Sequence, residues 1–344
     1  MAKALNSVIG VDIGRHSLKS ILLQKKGGNR YVVTHFAAHT ISEDSPRTVE
    51  ELGRQLKLLL KNMGGSAKGC VVSVNSPDAL IRIIDQPATE TVALREALRL
   101  NGLALLNQDC RDFVLDCDLI PTVNEAEIPA GQKRYLVAGL PRNEITQLSE
   151  AFEKNIPCPI SALQLGPVSI FNAFEFAQEE VFKEQSFFLL DIGHISATMM
   201  VGVKGELVLI RNIDFGGRVF LEALASMSGE DTKGVLQALA QDDELMVENA
   251  RMAVMALARE VGSSIGFFEG RREETISKIW ISGGLAKSKT ILRVFSEELR
   301  MPCAPWNALQ RCELGMPASK QEEFADTVLD FHVACGAAAQ LMKA

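Results

Sequence analysis

Two segments far apart in the chain are near copies of one another. Val8-Ile9-Gly10-Val11-Asp12-Ile13-Gly14 opens the sequence, and Phe188-Leu189-Leu190-Asp191-Ile192-Gly193 stands at its middle. Each is an apolar run, then Asp-Ile-Gly, then a return to apolar residues. Such a run reads as a strand buried on both faces. The Asp at its end projects into a cleft. There it can hold a hydrated Mg²⁺, which prefers carboxylate oxygens and keeps much of its water shell. The Gly lets the backbone turn tightly and approach phosphate oxygens. A third segment, Ile279-Trp280-Ile281-Ser282-Gly283-Gly284, ends another buried strand ahead of a helix from Ser288 to Arg300. A Gly-Gly turn at a helix start suits flat packing against a base or phosphate. One copy of the Asp-Gly exit per half predicts two similar subdomains facing each other across a nucleotide.

The rest of the pattern fits that duplication. Val8 to Ile13, Leu18 to Gln24 and Tyr31 to Thr40 read as consecutive strands, with a turn at Lys25-Lys26-Gly27-Gly28-Asn29. Thr48 to Met63 is an amphipathic helix ending at Gly64-Gly65, and Cys70 to Val74 is a further buried strand. This order is half of a ribonuclease-H-like fold. From Ser76 to Pro159 an insert follows: strand Ala79 to Asp85, helix Thr91 to Leu106, strands Phe113 to Ile120 and Arg134 to Gly139, and helix Arg142 to Lys154. Asn124 to Gln132 is a polar loop. Pro167 to Glu180 reads as a helix returning to the first domain. The second copy has strands Phe187 to Ile192, Ala197 to Val203 and Glu206 to Ile213, and a helical block from Val219 to Gly270 interrupts it. The expected fold class is α/β, an actin-like, duplicated ribonuclease-H-like fold with a small inserted α+β subdomain. Its parts are expected at 1–75 plus 160–182, the insert at 76–159, the second half at 183–214 plus 275–344, and a helical subdomain at 215–274.

Composition narrows the function classes. The chain has 344 residues, 47% hydrophobic and 23% charged, enough for two or three domains with a large core. Net charge is −7 and falls in no blocks, which disfavours nonspecific nucleic-acid binding. No signal peptide and no membrane-spanning apolar stretch is visible. The seven Cys include no CxxC pair, so reduced core thiols are expected. His35 and His39 fall on a strand and are not read as metal ligands. No Ser/His/Asp or Cys/His nucleophile motif stands out.

The order of the three glycine-bearing segments resembles the actin-like ATPase superfamily, with a first phosphate segment, a second phosphate segment, an adenosine segment and two connecting helices. Phe331-His332-Val333-Ala334-Cys335-Gly336-Ala337-Ala338-Ala339 would be the second connecting helix, its small residues packed at the hinge. Within the superfamily the chain resembles the PilM family of type IV pilus assembly, with the division protein FtsA behind it. The likeness is carried by Val8 to Lys19, by the insert's Thr91 to Leu119, and by Arg211-Asn212-Ile213-Asp214-Phe215-Gly216-Gly217.

The resemblance implies ATP with Mg²⁺ as cofactor. Asp12, Gly14, Ser17, Lys19, Asp191, Gly193, Ser196, Gly216, Gly217, Lys233, Gly283, Gly284 and Gly336 would line the nucleotide, with Asp12 and Asp191 on the metal through water. Glu230 with Lys233 matches a pair that faces ribose and adenine in PilM and FtsA, and it equally matches a surface ion pair.

Three departures from the family pattern stand out. Arg15-His16 replace small residues in the first phosphate turn. His194 stands in the second. Gly166 occupies the position of a carboxylate that orients the attacking water, and its loss is worth about 10²–10⁴-fold in rate. Gln164 could align a water but is a weaker base. The implied role is a cytoplasmic scaffold of a pilus-type machine at the inner face of the inner membrane. It would bind the cytoplasmic tail of a PilN-like membrane protein in a groove beside the insert, with ATP binding and hydrolysis weak or lost. The alternatives are an active ATPase or small-molecule kinase of the same superfamily, with Asp214 the one weak candidate base, and an FtsA-like division protein, which the chain's ending disfavours.

Overall fold

The computed structural model describes every residue except 1–4, 43, 44, 47, 154, 157, 241–243 and 344. In the first half, β1 (Ser7–Ile13), β2 (Ser17–Lys26) and β3 (Arg30–Thr40) form a meander, followed by α1 (Val49–Met63) and β4 (Gly69–Val74). Next come β5 (Leu80–Pro87), α2 (Thr91–Leu106), β6 (Phe113–Leu119), β7 (Gln132–Pro141) and α3 (Arg142–Glu153). Then β8 (Ile160–Leu165) leads into α4 (Gly166–Ala177) and α5 (Glu179–Glu184). The second half holds β9 (Ser186–Ile192), β10 (Ala197–Val203), β11 (Glu206–Ile213), α6 (Gly217–Ser228), α7 (Thr232–Ala240) and α8 (Glu244–Arg271). It continues through β12 (Ile279–Gly283), α9 (Lys289–Leu299) and β13 (Cys303–Pro305). The chain closes with β14 (Cys312–Leu314), α10 (Ala318–Ala325) and α11 (His332–Lys343).

The two large sheets repeat one order. The first runs β14-β3-β2-β1-β4-β8 and the second β11-β10-β9-β12-β13, so each has a meander followed by parallel strands on the far side of the first strand. β1 alternates faces as a doubly buried strand must. Ile9 and Val11 pack with Leu56, Leu59 and Met63 of α1, while Val8 joins the core shared with α4 and α11. In the second sheet Phe188 and Leu190 face α8 and α9, and Phe187 and Leu189 face the shared core.

The helix pair α4 and α11 therefore lies at the junction of the halves. α11 covers β1, β2 and β4. Phe174 of α4 meets Phe187, Trp280 and Trp306, with ring centroids 4.8, 5.6 and 5.2 Å away. The small residues of α11 answer a steric demand. A Cβ on Gly336 would stand 1.7 Å from the Ser169 carbonyl oxygen of α4, and one on Gly10 would stand 1.9 Å from that of Ala334.

The insert is a three-stranded antiparallel sheet, β5-β7-β6, with α2 and α3, as the patterning predicts. Lys154, the expected end of α3, lies outside the described residues. Several features differ from expectation. β8 has no signal in the sequence: it is an edge strand whose first residues are exposed, so it lacks the apolar signature of its neighbours. The helix expected from Pro167 to Glu180 breaks at Gln178, whose ψ of 45° is non-helical. The expectation that 275–344 belongs wholly to the second half fails for its last part. β14 pairs in parallel with β3 of the first sheet, and α11 packs on that sheet.

Candidate functional site

The two Asp-Gly exits have the same construction. Gly14 N–H donates to Ser17 O at 3.1 Å, and Gly193 N–H donates to Ser196 O at 3.0 Å. A Cβ on either glycine would press on that serine oxygen, at 2.7 and 3.0 Å. Asp12 stands opposite Lys19 on β2 and beside Ser73 on β4, while Asp191 stands opposite Thr198 on β10 and beside Ser282 on β12.

The carboxylates differ in their partners. Lys19 Nζ lies 3.5 Å from Asp12 Oδ2, and Asp12 Oδ1 is buried with no hydrogen-bond partner. Ser282 Oγ donates to Asp191 Oδ1 at 2.7 Å. Burial raises the Asp12 pKa above the usual carboxylate range, with Lys19 opposing. Burial also raises that of Asp191, the Ser282 hydrogen bond opposing and the charge of Asp12 adding to the rise. Two carboxylates that sense each other, one with a vacant oxygen, fit a hydrated divalent cation.

Between the turns the fit to a phosphate chain is poorer. His16 from the first turn and His194 from the second stack face to face, with centroids 4.8 Å apart and planes at 28°. The imidazoles thus bridge the halves at the turns that would hold phosphates. A separate small cavity bounded by Asn75, Pro167, Ser196 and Asn212 measures about 30 Å³, room for little more than one water.

Several expected ligand-binding groups are engaged in the fold. Gly217 N–H donates to Gly193 O at 2.9 Å and Arg218 N–H to His194 O at 2.8 Å, so Gly216-Gly217 brace the second turn and that N–H is not free for a γ-phosphate. Gln164 is buried, bonded to Gln340, and accepts from Ser169 Oγ at 2.8 Å, which leaves it unfit to align a water. Gly336 is sealed between α4 and α11 and has no face toward a ligand. Beside Gly166, Asn75 Oδ1 lies 1.9 Å from where a Cβ would be, so the amide occupies the space of the family carboxylate.

Gly283 takes φ +87°, a left-handed geometry that favours glycine, and a Cβ there would stand 2.0 Å from Ile192 O. Gly284 faces open space, as a base-stacking surface requires. Lys233 and Glu230 are exposed, Lys233 on α7, which packs on α6, α8 and α9. Asp214 is exposed between β11 and α6.

A larger cavity, about 350 Å³, opens between the first sheet and the insert. The ends of β1 and β4 and the first turns of α1 and α3 line it, with Ile13, Val49 and Leu52 as apolar floor and Arg15, Asn75 and Gln147 as polar rim. Arg15 therefore belongs to this cavity, while its neighbour His16 belongs to the cleft.

One cluster had no signal in the sequence. Glu206, fully buried at the start of β11, accepts from Arg134 Nη1 at 2.9 Å, from Arg272 Nη2 at 3.3 Å and from Val123 N–H at 2.9 Å. Arg134 also binds Asp85 through both fork nitrogens, at 2.9 and 3.1 Å, and Arg272 binds Glu127. Four of these six residues lie in the insert and two in the second half. The insert is covalently part of the first half, yet this node clamps it to the second.

Comparison with known proteins agrees with the architecture. The family model described as type IV pilus assembly protein PilM matches residues 170–342, half of the chain. The chain belongs to the PilM family. The solved PilM–PilN type IV pilus biogenesis complex superposes with a TM-score of 0.79 at 20% identity, covering 97% of this chain and 98% of that one. The ethanolamine utilization protein EutJ from Carboxydothermus hydrogenoformans matches with a TM-score of 0.53 at 13% identity, over 98% and 90% of the two chains. A diol dehydratase-reactivating factor in nucleotide-free form matches at 0.54 and 9% identity, over 99% and 100%. The fold is that of the actin-like ATPase superfamily. No helix among the described residues is long and apolar enough to cross a membrane.

Proposed function

We propose that this PilM-family chain is a scaffold of a type IV pilus-like machine, and that the groove between its first sheet and its insert receives the extended cytoplasmic tail of a PilN-like inner-membrane protein. The observation that carries this reading is the contrast between two spaces. The groove offers about 350 Å³ with an apolar floor and a polar rim. The cleft between the halves is bridged by a pair of stacked imidazoles at the very turns that would hold phosphates. An extended peptide draws affinity from main-chain hydrogen bonds and register from alternate side chains, which such a groove supplies. The chain would work at the membrane's inner face through that partner.

Nucleotide is the secondary ligand in this reading. Asp12 and Asp191 would hold Mg²⁺ through water, Lys19 would neutralise phosphate charge, and Gly284 would offer a flat face to adenine. Bound Mg²⁺ supplies charge neutralisation for phosphoryl transfer. No carboxylate stands at Gly166 to orient a water, so hydrolysis is slow.

Calorimetry with a synthetic tail peptide tests the primary claim. Binding at micromolar affinity or tighter, about −8 kcal/mol, is expected. Gln147→Trp, an exposed rim position, should plug the groove and weaken binding at least tenfold. Equal affinity for the plugged variant refutes the assignment. Deleting the insert is a poorer test, because it would also strip the buried Glu206 of the second half of its Arg134 and Val123 partners.

A further inference from the structure

β4 and β8 run side by side in parallel, and each begins next to a cysteine. Cys70 is the second residue of β4 and is fully buried. Its N–H donates to the Pro159 carbonyl at 2.9 Å, which brings the residue before that proline, Cys158, against it. Cys158 packs against the same apolar cluster that holds Cys70, and the two thiols are close enough to shift each other's titration. They are not equivalent. Cys158 is half-buried and lines a surface cavity of about 400 Å³ with Phe152, Glu153, Ile156 and Leu163, while Cys70 lies beneath it in the core.

The two thiols shift in opposite directions. The Cys70 S–H supports the Cys158 sulfur and lowers its pKa, against the opposing effect of burial. The Cys70 thiol is pushed strongly upward by the same contact and by burial. The other shifted thiols, those of Cys110, Cys117, Cys303 and Cys312, all move up with burial, the last two to about 11 and about 12. A thiolate-favoured sulfur open to solvent beside a protonated partner is the arrangement of an attacking and a resolving cysteine.

We propose that Cys158 and Cys70 are a peroxide-responsive pair that closes to a disulfide, stapling the insert's return segment to the core. The Cys158 thiolate attacks hydrogen peroxide. An S–O bond forms, the O–O bond breaks, and the departing hydroxide takes a proton to leave as water. Cys70 then loses its proton and attacks the Cys158 sulfur. The S–S bond forms, the S–O bond breaks, and a second water leaves. Two thiols are oxidised by two electrons and one peroxide is reduced to two waters. The closed loop, residues 70–158, contains most of β4 and every element of the insert from β5 to α3, so the bond ties down the element that walls the peptide groove.

The test uses the full chain, freed of reductant and treated with stoichiometric peroxide, then digested without reduction. A cross-linked peptide joining Cys70 to Cys158, lighter by two hydrogens, is expected before any other thiol is oxidised. Cys70→Ser should leave Cys158 as a sulfenic acid that dimedone captures. As a measurement that needs no variant, iodoacetamide should alkylate Cys158 at neutral pH at least tenfold faster than Cys110, Cys117, Cys303 or Cys312. A first disulfide between Cys110 and Cys117, or equal alkylation rates, overturns the proposal.

Discussion

Glu206→Gln is the perturbation that asks most of this structure. The substitution keeps shape and leaves an oxygen to accept from Val123 N–H. It removes the charge that Arg134 and Arg272 share. Removing one partner of a buried ion pair costs about 3–5 kcal/mol when the other charge is stranded. Here neither cation is stranded, because Arg134 retains both bonds to Asp85 and Arg272 retains Glu127. What is lost is two charge-assisted hydrogen bonds, about 1.5–3 kcal/mol each, with the longer one at 3.3 Å counted low. The sum is about 3 kcal/mol. It falls on the junction between insert and second half, so it should emerge as local opening and not as global collapse. Hydrogen exchange read by mass spectrometry measures this directly. At 1.4 kcal/mol per tenfold, protection of the β5–β7 amides should fall about 10²-fold, while that of β9 and β12 changes little. Protection of the insert unchanged within a factor of about three would refute the clamp and reduce Glu206 to a tolerated buried charge.

Asp12→Asn and Asp191→Asn should each raise the melting temperature at neutral pH and weaken any Mg²⁺ linkage of ATP affinity. Both folded pKa values are raised by burial, so the penalty for the charged form is present above the folded pKa and is relieved as pH falls through it toward the unfolded value. Melting temperatures that drop in both variants would count against this. Gly166→Glu alone should destabilise the fold and leave phosphate release well below about one per second, whereas Gly166→Glu with Asn75→Ala makes room for the carboxylate. A gain in hydrolysis from the single variant would show that the Asn75 amide yields freely. His16→Ala with His194→Ala should tighten ATP binding in calorimetry by opening the stacked gate, and unchanged affinity would mean that the imidazoles part at no cost.

Much of this architecture is legible in the chain because its signals are local. A doubly buried strand must be an apolar run, and an Asp-Gly exit is short-range turn chemistry, so the paired turns, the meanders and the insert's order of elements can be read from neighbours in sequence. The same holds for Gly166 and for the bulky Arg15-His16, which are visible as departures from a pattern. Elements whose reasons are distant are another matter. β8 is an exposed-edge strand, and only its pairing with β4 defines it. The return of β14 and α11 to the first sheet follows from packing that no local pattern announces. Gly336 is small because a helix from elsewhere presses on it. His16 and His194 are separate oddities until the halves close and stack them. Asp85, Arg134, Glu206 and Arg272 are ordinary surface-type charges in sequence, and Cys70 and Cys158 are two core thiols among seven. The sequence by itself determines the duplicated halves and the places where chemistry is missing, because strand burial and turn geometry are set within a few residues. Which charges become a clamp, which glycine is a spacer and which thiols touch is decided only by tertiary structure, because each depends on atoms that are neighbours in space and far apart along the chain.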